Sequence, residues 1–233
     1  MAERSHFRWL HPVRQARSQA TLERLLESTE SLLADKGFEG VTVAEIAMRA
    51  GVSVGAVYSR FRGKDALLQC LLERFVEEAT TTTDETLAIE RWQGACIEEI
   101  TSEFIVFLVE IHRTRIGLLR ELLARAHGSA PMGERKEELI RYIGDRLAAL
   151  LLAREQQITH PDPAFAVRFA FRLALGCLEQ AILSGGSIPY GLPASDDRLA
   201  AELTRTFLNY LGVKGGADAA ARPNSQANRR AAG

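Results

Sequence analysis

The chain is poor in the residues that build cofactor, metal or covalent frameworks. Its three cysteines in 233 residues, Cys70, Cys96 and Cys177, are far apart and odd in number, which argues against a disulfide framework. No CxxC pair exists, so the common zinc modules are not indicated, and the thiols read as buried groups in a reducing cytoplasm. The five histidines, His6, His11, His112, His127 and His160, are scattered. There is no metal-spaced cluster, no Gly-rich phosphate loop and no G-x-S-x-G elbow. We therefore expect no metal, no cofactor and no catalytic residue. The longest apolar run, Leu147 to Ala153, is too short to cross a bilayer. The first residues include Glu3, Arg4, His6, Arg8 and Arg14 without an apolar stretch, so no signal peptide is visible. These absences predict a cytoplasmic protein without a membrane partner. Alternating strand patterns and internal repeats are also missing, which predicts an all-α fold. A net charge of −1 does not by itself announce nucleic acid.

What is present is concentrated in residues 42–65, TVAEIAMRAGVSVGAVYSRFRGKD. Thr42 and Glu45 have the spacing of a capping box. Val43, Ile46 and Ala47 then share one helical face, and Gly51 stands where a helix can end in a left-handed residue. Ser53 can cap a second helix whose Val57 and Phe61 turn inward. Val54, Gly55, Ala56, Tyr58, Ser59 and Arg60 are left outside. Gly55 and Ala56 let a backbone sit deep in a major groove, and Val54 and Ala56 offer methyls to thymine. Ser59 and Arg60 suit base edges or phosphates, and Tyr58 suits a phosphate oxygen. Gly63-Lys64-Asp65 opens another helix, whose N–H groups and Lys64 ammonium form an anion site. Residues 1–70 carry ten Lys/Arg against eight Asp/Glu, with Arg60, Arg62 and Lys64 beside the outer face. Together these features predict a helix-turn-helix DNA reader.

The chain here resembles the tetracycline-repressor (TetR) family. The resemblance runs from Arg17 to Leu68 and is carried by LLADKGFEGVTV (Leu32 to Val43), Ile46-Ala47, AGVS (Ala50 to Ser53), Gly55, Val57-Tyr58, Phe61 and KDALL (Lys64 to Leu68). It implies a homodimeric, all-α repressor, released from its operator by a ligand, with a small N-terminal DNA-binding domain and a larger C-terminal ligand-binding and dimer domain. Position 54 is often polar or basic in the family, and Val54 here favours an apolar contact. The DNA contacts expected on this basis are Arg14, Arg17, Thr42, Ser53, Val54, Gly55, Ala56, Tyr58, Ser59, Arg60 and Lys64.

We expect an N-terminal arm at 1–13, whose FRWLHP segment suits disorder, a minor-groove arm or packing on a neighbour. The DNA-binding domain is placed at 14–65, a helical ligand and dimer domain at 66–212 and a disordered tail at 213–233. Helix 1 should span Arg17–Lys36, and the helix from Lys64 should reach about Thr80. A linker follows at Thr80–Asp84, since its hydroxyls compete for backbone bonds. Further helices are expected at Thr86–Arg113, Arg115–Ala126, Glu134–Glu155, from Pro161/Pro163 to Ser184 and at Ser195–Leu211. HGSAPMG (His127 to Gly133) is expected as a turn, and IPYGLP (Ile188 to Pro193) as a loop after Gly185-Gly186.

The resemblance makes the last two helices a dimer surface. Phe165, Phe169, Leu173, Gly176 and Gln180, and Leu199, Leu203, Thr206 and Tyr210, recur every three or four residues. A two-fold dimer would set two readers on one face of a palindromic double-stranded DNA operator. The resemblance also implies a small-molecule effector, with candidate contacts Trp92, Cys96, Phe104, Phe107, Glu110, His112, Tyr142, Phe169 and Arg172. Their composition fits an apolar or aromatic compound of unknown identity. Control by a partner protein without a ligand is one alternative, and a helical enzyme or carrier is another.

Overall fold

The computed structural model describes residues 16–184 and 195–213, with the side chains of 16 and 17 excepted. The arm at 1–13, Arg14, the Gly185-Gly186 stop with the following loop, and the tail beyond Val213 lie outside the described residues. Among the described residues the fold is all-helical: α1 (Ala16–Lys36), α2 (Val43–Ala50), α3 (Val54–Tyr58), α4 (Lys64–Thr86), α5 (Ile97–Thr114), α6 (Ile116–Gly128), α7 (Ala130–Leu152), α8 (Pro163–Leu183) and α9 (Asp196–Leu211).

Several boundaries differ from expectation. The Thr80–Asp84 segment is not a linker but the last part of α4. Thr80 Oγ1 donates to the Val76 carbonyl at 2.8 Å and Thr81 Oγ1 to Glu77 at 3.1 Å. The hydroxyls thus bond one turn back along the helix instead of breaking it. Conversely, the helix expected at Thr86–Arg113 is interrupted. A short 3-10 turn occupies Ile89–Trp92, Gly94 takes φ +80°, and α5 starts only at Ile97. The break is held by its own hydrogen bonds. The Trp92 indole donates to Thr86 O at 2.7 Å, Arg154 donates to the carbonyls of Trp92 and Ala95, and Glu99 accepts from Cys96 N. HGSAPMG is also no open turn. Only Ser129 separates α6 from α7, and Pro131 sits in the first turn of α7, where a missing N–H costs nothing.

The helices sort into two compact units that do not follow the order of two consecutive domains. One contains the chain to Thr82 together with Arg115–Leu139; the other contains Thr83–Thr114 and the chain from Ile140. The first unit therefore joins α1–α3, most of α4, α6 and the start of α7. Leu25, Leu33, Ile46, Val57, Phe61, Leu67 and Leu71 are almost fully buried in it. Helix α6 belongs there because it packs on α1. Gly117 permits this approach: a Cβ on it would fall 2.6–2.8 Å from backbone atoms of Leu33 and Ala34.

The second unit is built on contacts of α5 with α9, α8 with α9, and α5 with α8. Its core includes Ile100, Phe104, Leu147, Leu151, Phe171 and Phe207. Helix α8 opens with Pro163 in its first turn, as the prolines predict, and Asp162 caps it. Ser195 caps α9, and Gly212 ends it at φ +68°. Thr159 Oγ1 donates to the Gly212 carbonyl at 2.8 Å, closing that end.

Candidate nucleic-acid interface

The reading head is assembled from local signals. Thr42 Oγ1 accepts from Glu45 N at 3.2 Å while Glu45 Oε2 accepts from Thr42 N at 3.0 Å, completing the capping box of α2. Gly51 ends α2 at φ +66°. Ser53 Oγ accepts from Ala56 N at 3.1 Å and starts α3. Val57 and Phe61 are wholly buried, which fixes how α3 rolls against its neighbours. The rest of α3 is thereby forced outward. Val54, Gly55, Tyr58 and Ser59 are exposed and Ala56 is half-buried.

Glu45 carries an electrostatic anchor as well. Lys36 Nζ lies 2.5 Å from its Oε1, and this bond, followed by those from the Thr42 hydroxyl and Thr42 N–H, lowers its pKa from 4.5 to about 2. A folded value below the ordinary one means that the ionised carboxylate favours the folded state. Its contribution is complete above the ordinary carboxylate value and is lost as pH falls toward about 2. Glu45→Gln is therefore expected to shrink the stability gap between neutral and about pH 3, and Thr42→Ala to cost about 1 kcal/mol at neutral pH. Urea unfolding at the two pH values checks both; an unchanged acid limb in Glu45→Gln would refute the assignment.

Two of the expected DNA contacts also bond within the protein. Arg60 Nη1 donates to the Ala56 carbonyl at 3.3 Å and Nη2 to Ser18 Oγ at 3.2 Å, so the guanidinium faces α1. Lys64 Nζ donates to the carbonyls of Phe38 at 3.1 Å and Val41 at 3.5 Å. It ties the α1–α2 connection to the start of α4. Ser59 Oγ donates to Ala56 O at 2.9 Å, keeping its lone pairs for an incoming donor. Arg17 stands in the first turn of α1, and its side chain is not among those described. Two exposed groups beside this head were not singled out as contacts: Arg62 follows α3, and Met48 is 76% exposed on α2. A long apolar side chain held in solvent is the signal that could have flagged Met48.

The expected effector contacts lie in the second unit and differ in burial. Phe104 is core, with its ring 5.9 Å from that of Phe171, and Trp92 is buried in the turn before α5. Glu110, Phe169 and Arg172 are exposed, while Cys96, Phe107 and His112 are half-buried. Tyr142 OH bonds Asp84 at 2.5 Å, which raises its pKa, and Asp84 also pairs with Arg146. His112 Nδ1 lies 2.8 Å from Leu108 O; burial lowers its pKa against the opposing pull of that carbonyl and of Glu179. Thr101 was missed by sequence reasoning. It is wholly buried on α5, and its Oγ1 has no partner among the described residues. Burial pushes the Cys70 thiol up to about 12, so it resists forming the reactive thiolate.

The residues expected on a dimer surface of α8 and α9 divide. Phe165, Leu173, Gly176, Gln180 and Thr206 are exposed, while Leu199, Leu203 and Tyr210 are half-buried against the core of the second unit. No helix of the described residues is long and apolar enough to cross a membrane.

A capped helix, a left-handed glycine turn and a second short helix with its outer face bare define a helix-turn-helix DNA-binding protein. Comparison with known proteins gives its family. Residues 25–71 match the model for bacterial regulatory proteins of the TetR family, and residues 97–211 match the tetracyclin repressor-like C-terminal domain. The HTH-type transcriptional regulator BetI 2 of Chromohalobacter salexigens is 26% identical over 192 residues, covering 81% of this chain and 87% of that protein. Other curated regulators match over shorter stretches, so that the chain covers only 19–31% of their length. Among solved structures, SmeT, the repressor of the Stenotrophomonas maltophilia multidrug efflux pump SmeDEF, superposes with a TM-score of 0.60 at 22% identity, covering 85% of this chain and 93% of SmeT. RolR in complex with resorcinol gives 0.52 at 24% identity, covering 90% and 97%. The chain belongs to the TetR family and is a DNA-binding transcriptional regulator; the family is not enzymatic.

Proposed function

We propose that the protein is a homodimeric repressor that binds a palindromic operator and is released by a small apolar or aromatic effector. The observation that carries this reading is the bare apolar row on α8. Phe165, Phe169, Leu173 and Leu183 are 39–57% exposed on a helix whose other face is core. A second copy is the partner that gives each reading head its symmetric twin, one DNA turn or a multiple of it away. SmeT is itself a repressor, and RolR binds resorcinol; both share this fold. An effector in the second unit would find the unpartnered Thr101 hydroxyl, a buried polar atom that gains from a hydrogen bond. Helix α4 begins beside the reading head and continues unbroken from Lys64 to Thr86, and it is the carrier we propose for a population shift between DNA-competent and DNA-incompetent states.

The experiment is selection of duplexes from a random library, followed by fluorescence anisotropy across a salt series, with and without resorcinol and related phenols. A palindromic product with steep salt dependence is expected. Non-palindromic selection, or phenols that bind yet leave operator affinity unchanged, would sink the corresponding half of the proposal. The outer face of α3 gives a sharper prediction. Tyr58→Phe removes one phosphate donor and should weaken all duplexes alike, by about fivefold. Val54→Ala should change the preferred base at one position, by roughly 1–2 kcal/mol. Selection repeated with each variant checks this, and a uniform loss for Val54→Ala would remove it from the reading set.

A further inference from the structure

We infer that Arg125, on α6, is a positioning residue for DNA reading: it holds the α1–α2 connection and the start of α4 in place through Phe38 and Asp65. The inference rests on the DNA-binding activity and not on release by an effector. Arg125 lies in the segment matched by the C-terminal family domain, 54 positions beyond the end of the matched DNA-binding segment at residue 71. It nevertheless belongs to the same compact unit as the reading helices.

The contacts are specific. Arg125 Nη2 pairs with Asp65 Oδ1 at 2.7 Å, in the first turn of α4. Its guanidinium also lies over the Phe38 ring, 4.8 Å from the centroid. Lys64 Nζ lies over the same ring at 4.4 Å, so two cations share one aromatic. One turn earlier on α6, Glu121 Oε1 accepts from Phe38 N at 3.4 Å. Phe38 thus has its ring, its N–H and, through Lys64, its carbonyl all engaged. It stands four residues before Thr42, the cap from which α2 begins. A shift of Phe38 would be passed directly to that cap and so to the angle at which α2 presents α3.

The other end of α6 is anchored independently. Arg115 pairs with Glu78 at 2.9 Å and with Glu30 at 3.5 Å, and Gly117 seats the helix on α1. Losing Arg125 should therefore loosen the Phe38 end without undocking the helix. The side chain is 28% exposed and Asp65 72% exposed, so the ion pair alone is weak. The stack and the pair together set the expected size of the effect.

The test uses the full chain and the duplex selected from the random library, with the active fraction fixed by stoichiometric titration. Arg125→Ala should raise Kd about three- to tenfold, with the slope of log K against log salt unchanged. Arg125→Lys keeps a charge opposite Asp65 and should recover part of the loss. Phe38→Leu combined with Arg125→Ala should be no worse than the poorer single variant, because both act through one contact. Wild-type affinity in folded Arg125→Ala would overturn the inference. So would a salt slope reduced by about one, which marks a direct phosphate contact. If Arg125→Ala does not fold, Arg125→Lys and Arg125→Met decide it: equal affinity for the two would refute the role. Failure of the wild-type protein to select any duplex would instead count against DNA reading itself.

Discussion

Gly117→Ala is expected to destabilise the protein by about 2–3 kcal/mol, although alanine is the better helix former. The added Cβ would lie 2.6 Å from Ala34 N, 2.7 Å from Ala34 Cα and 2.8 Å from Leu33 C. These are backbone atoms of α1, so no side chain can rotate out of the way. Relief requires α6 to move off α1, which pulls on the Arg115 pairs and on the Phe38 contacts. Helix propensity favours alanine by only about 1 kcal/mol, so the clash decides the sign. For a chain of this size the loss corresponds to a Tm lower by roughly 5–10 °C. Gly55→Ala is the control. Its Cβ would meet nothing nearer than Ser53 Oγ at 3.9 Å, so it should leave Tm unchanged or slightly raised. Thermal melts followed by circular dichroism separate the two, and a Gly117→Ala protein as stable as wild type would show that α6 does not sit where the structure puts it.

The contrast between these glycines explains which parts of the molecule were legible in the sequence. The reading head is encoded within 24 residues, by a cap, a turn glycine and inward positions four apart, and each signal acts on its immediate neighbours. The outward set of Val54, Gly55, Tyr58 and Ser59 follows from burying Val57 and Phe61. What local signals leave out depends on partners distant in sequence. Nothing near Lys64 reveals that its ammonium also donates to the carbonyls of Phe38 and Val41, and nothing near Arg60 reveals Ser18. The break between α4 and α5 is stabilised by Arg154, about sixty residues away. The linker expected at Thr80–Asp84 is helix because the hydroxyls of Thr80 and Thr81 bond back along it instead of competing with it. The effector candidates follow from the family resemblance and lie on the long central helices, where an aromatic residue's position cannot separate core from cavity lining. Thr101 was overlooked because a lone threonine in an apolar stripe carries no local signal of an unmet hydrogen bond.

Phe169→Asp is expected to convert the proposed dimer to monomer at micromolar concentration and to weaken operator binding about a hundredfold. In the isolated chain Phe169 is 39% exposed, stacked 5.5 Å from Phe165 and 5.3 Å from the Tyr210 ring. Its exposed part is the surface that a second copy would cover. In a two-fold interface each substitution acts twice, so a modest loss per copy becomes large. Removing the aromatic area should cost on the order of 1 kcal/mol per copy. Placing a carboxylate in an apolar seam opposite its own symmetry mate adds desolvation and like-charge repulsion. A total near 3 kcal/mol on the dimer is about a hundredfold in its dissociation constant. The fold of each chain should survive, because the side chain is already in contact with water on one face. Operator affinity falls when the dimer is lost, because a monomer presents a single reading head and one half-site holds few phosphates and few bases. Sedimentation velocity and anisotropy on the selected palindrome, with circular dichroism to confirm the fold, give the result. A folded Phe169→Asp protein that remains dimeric would move the interface away from α8, while a monomer that still binds the palindrome at full strength would show that pairing of the readers is not what the operator selects.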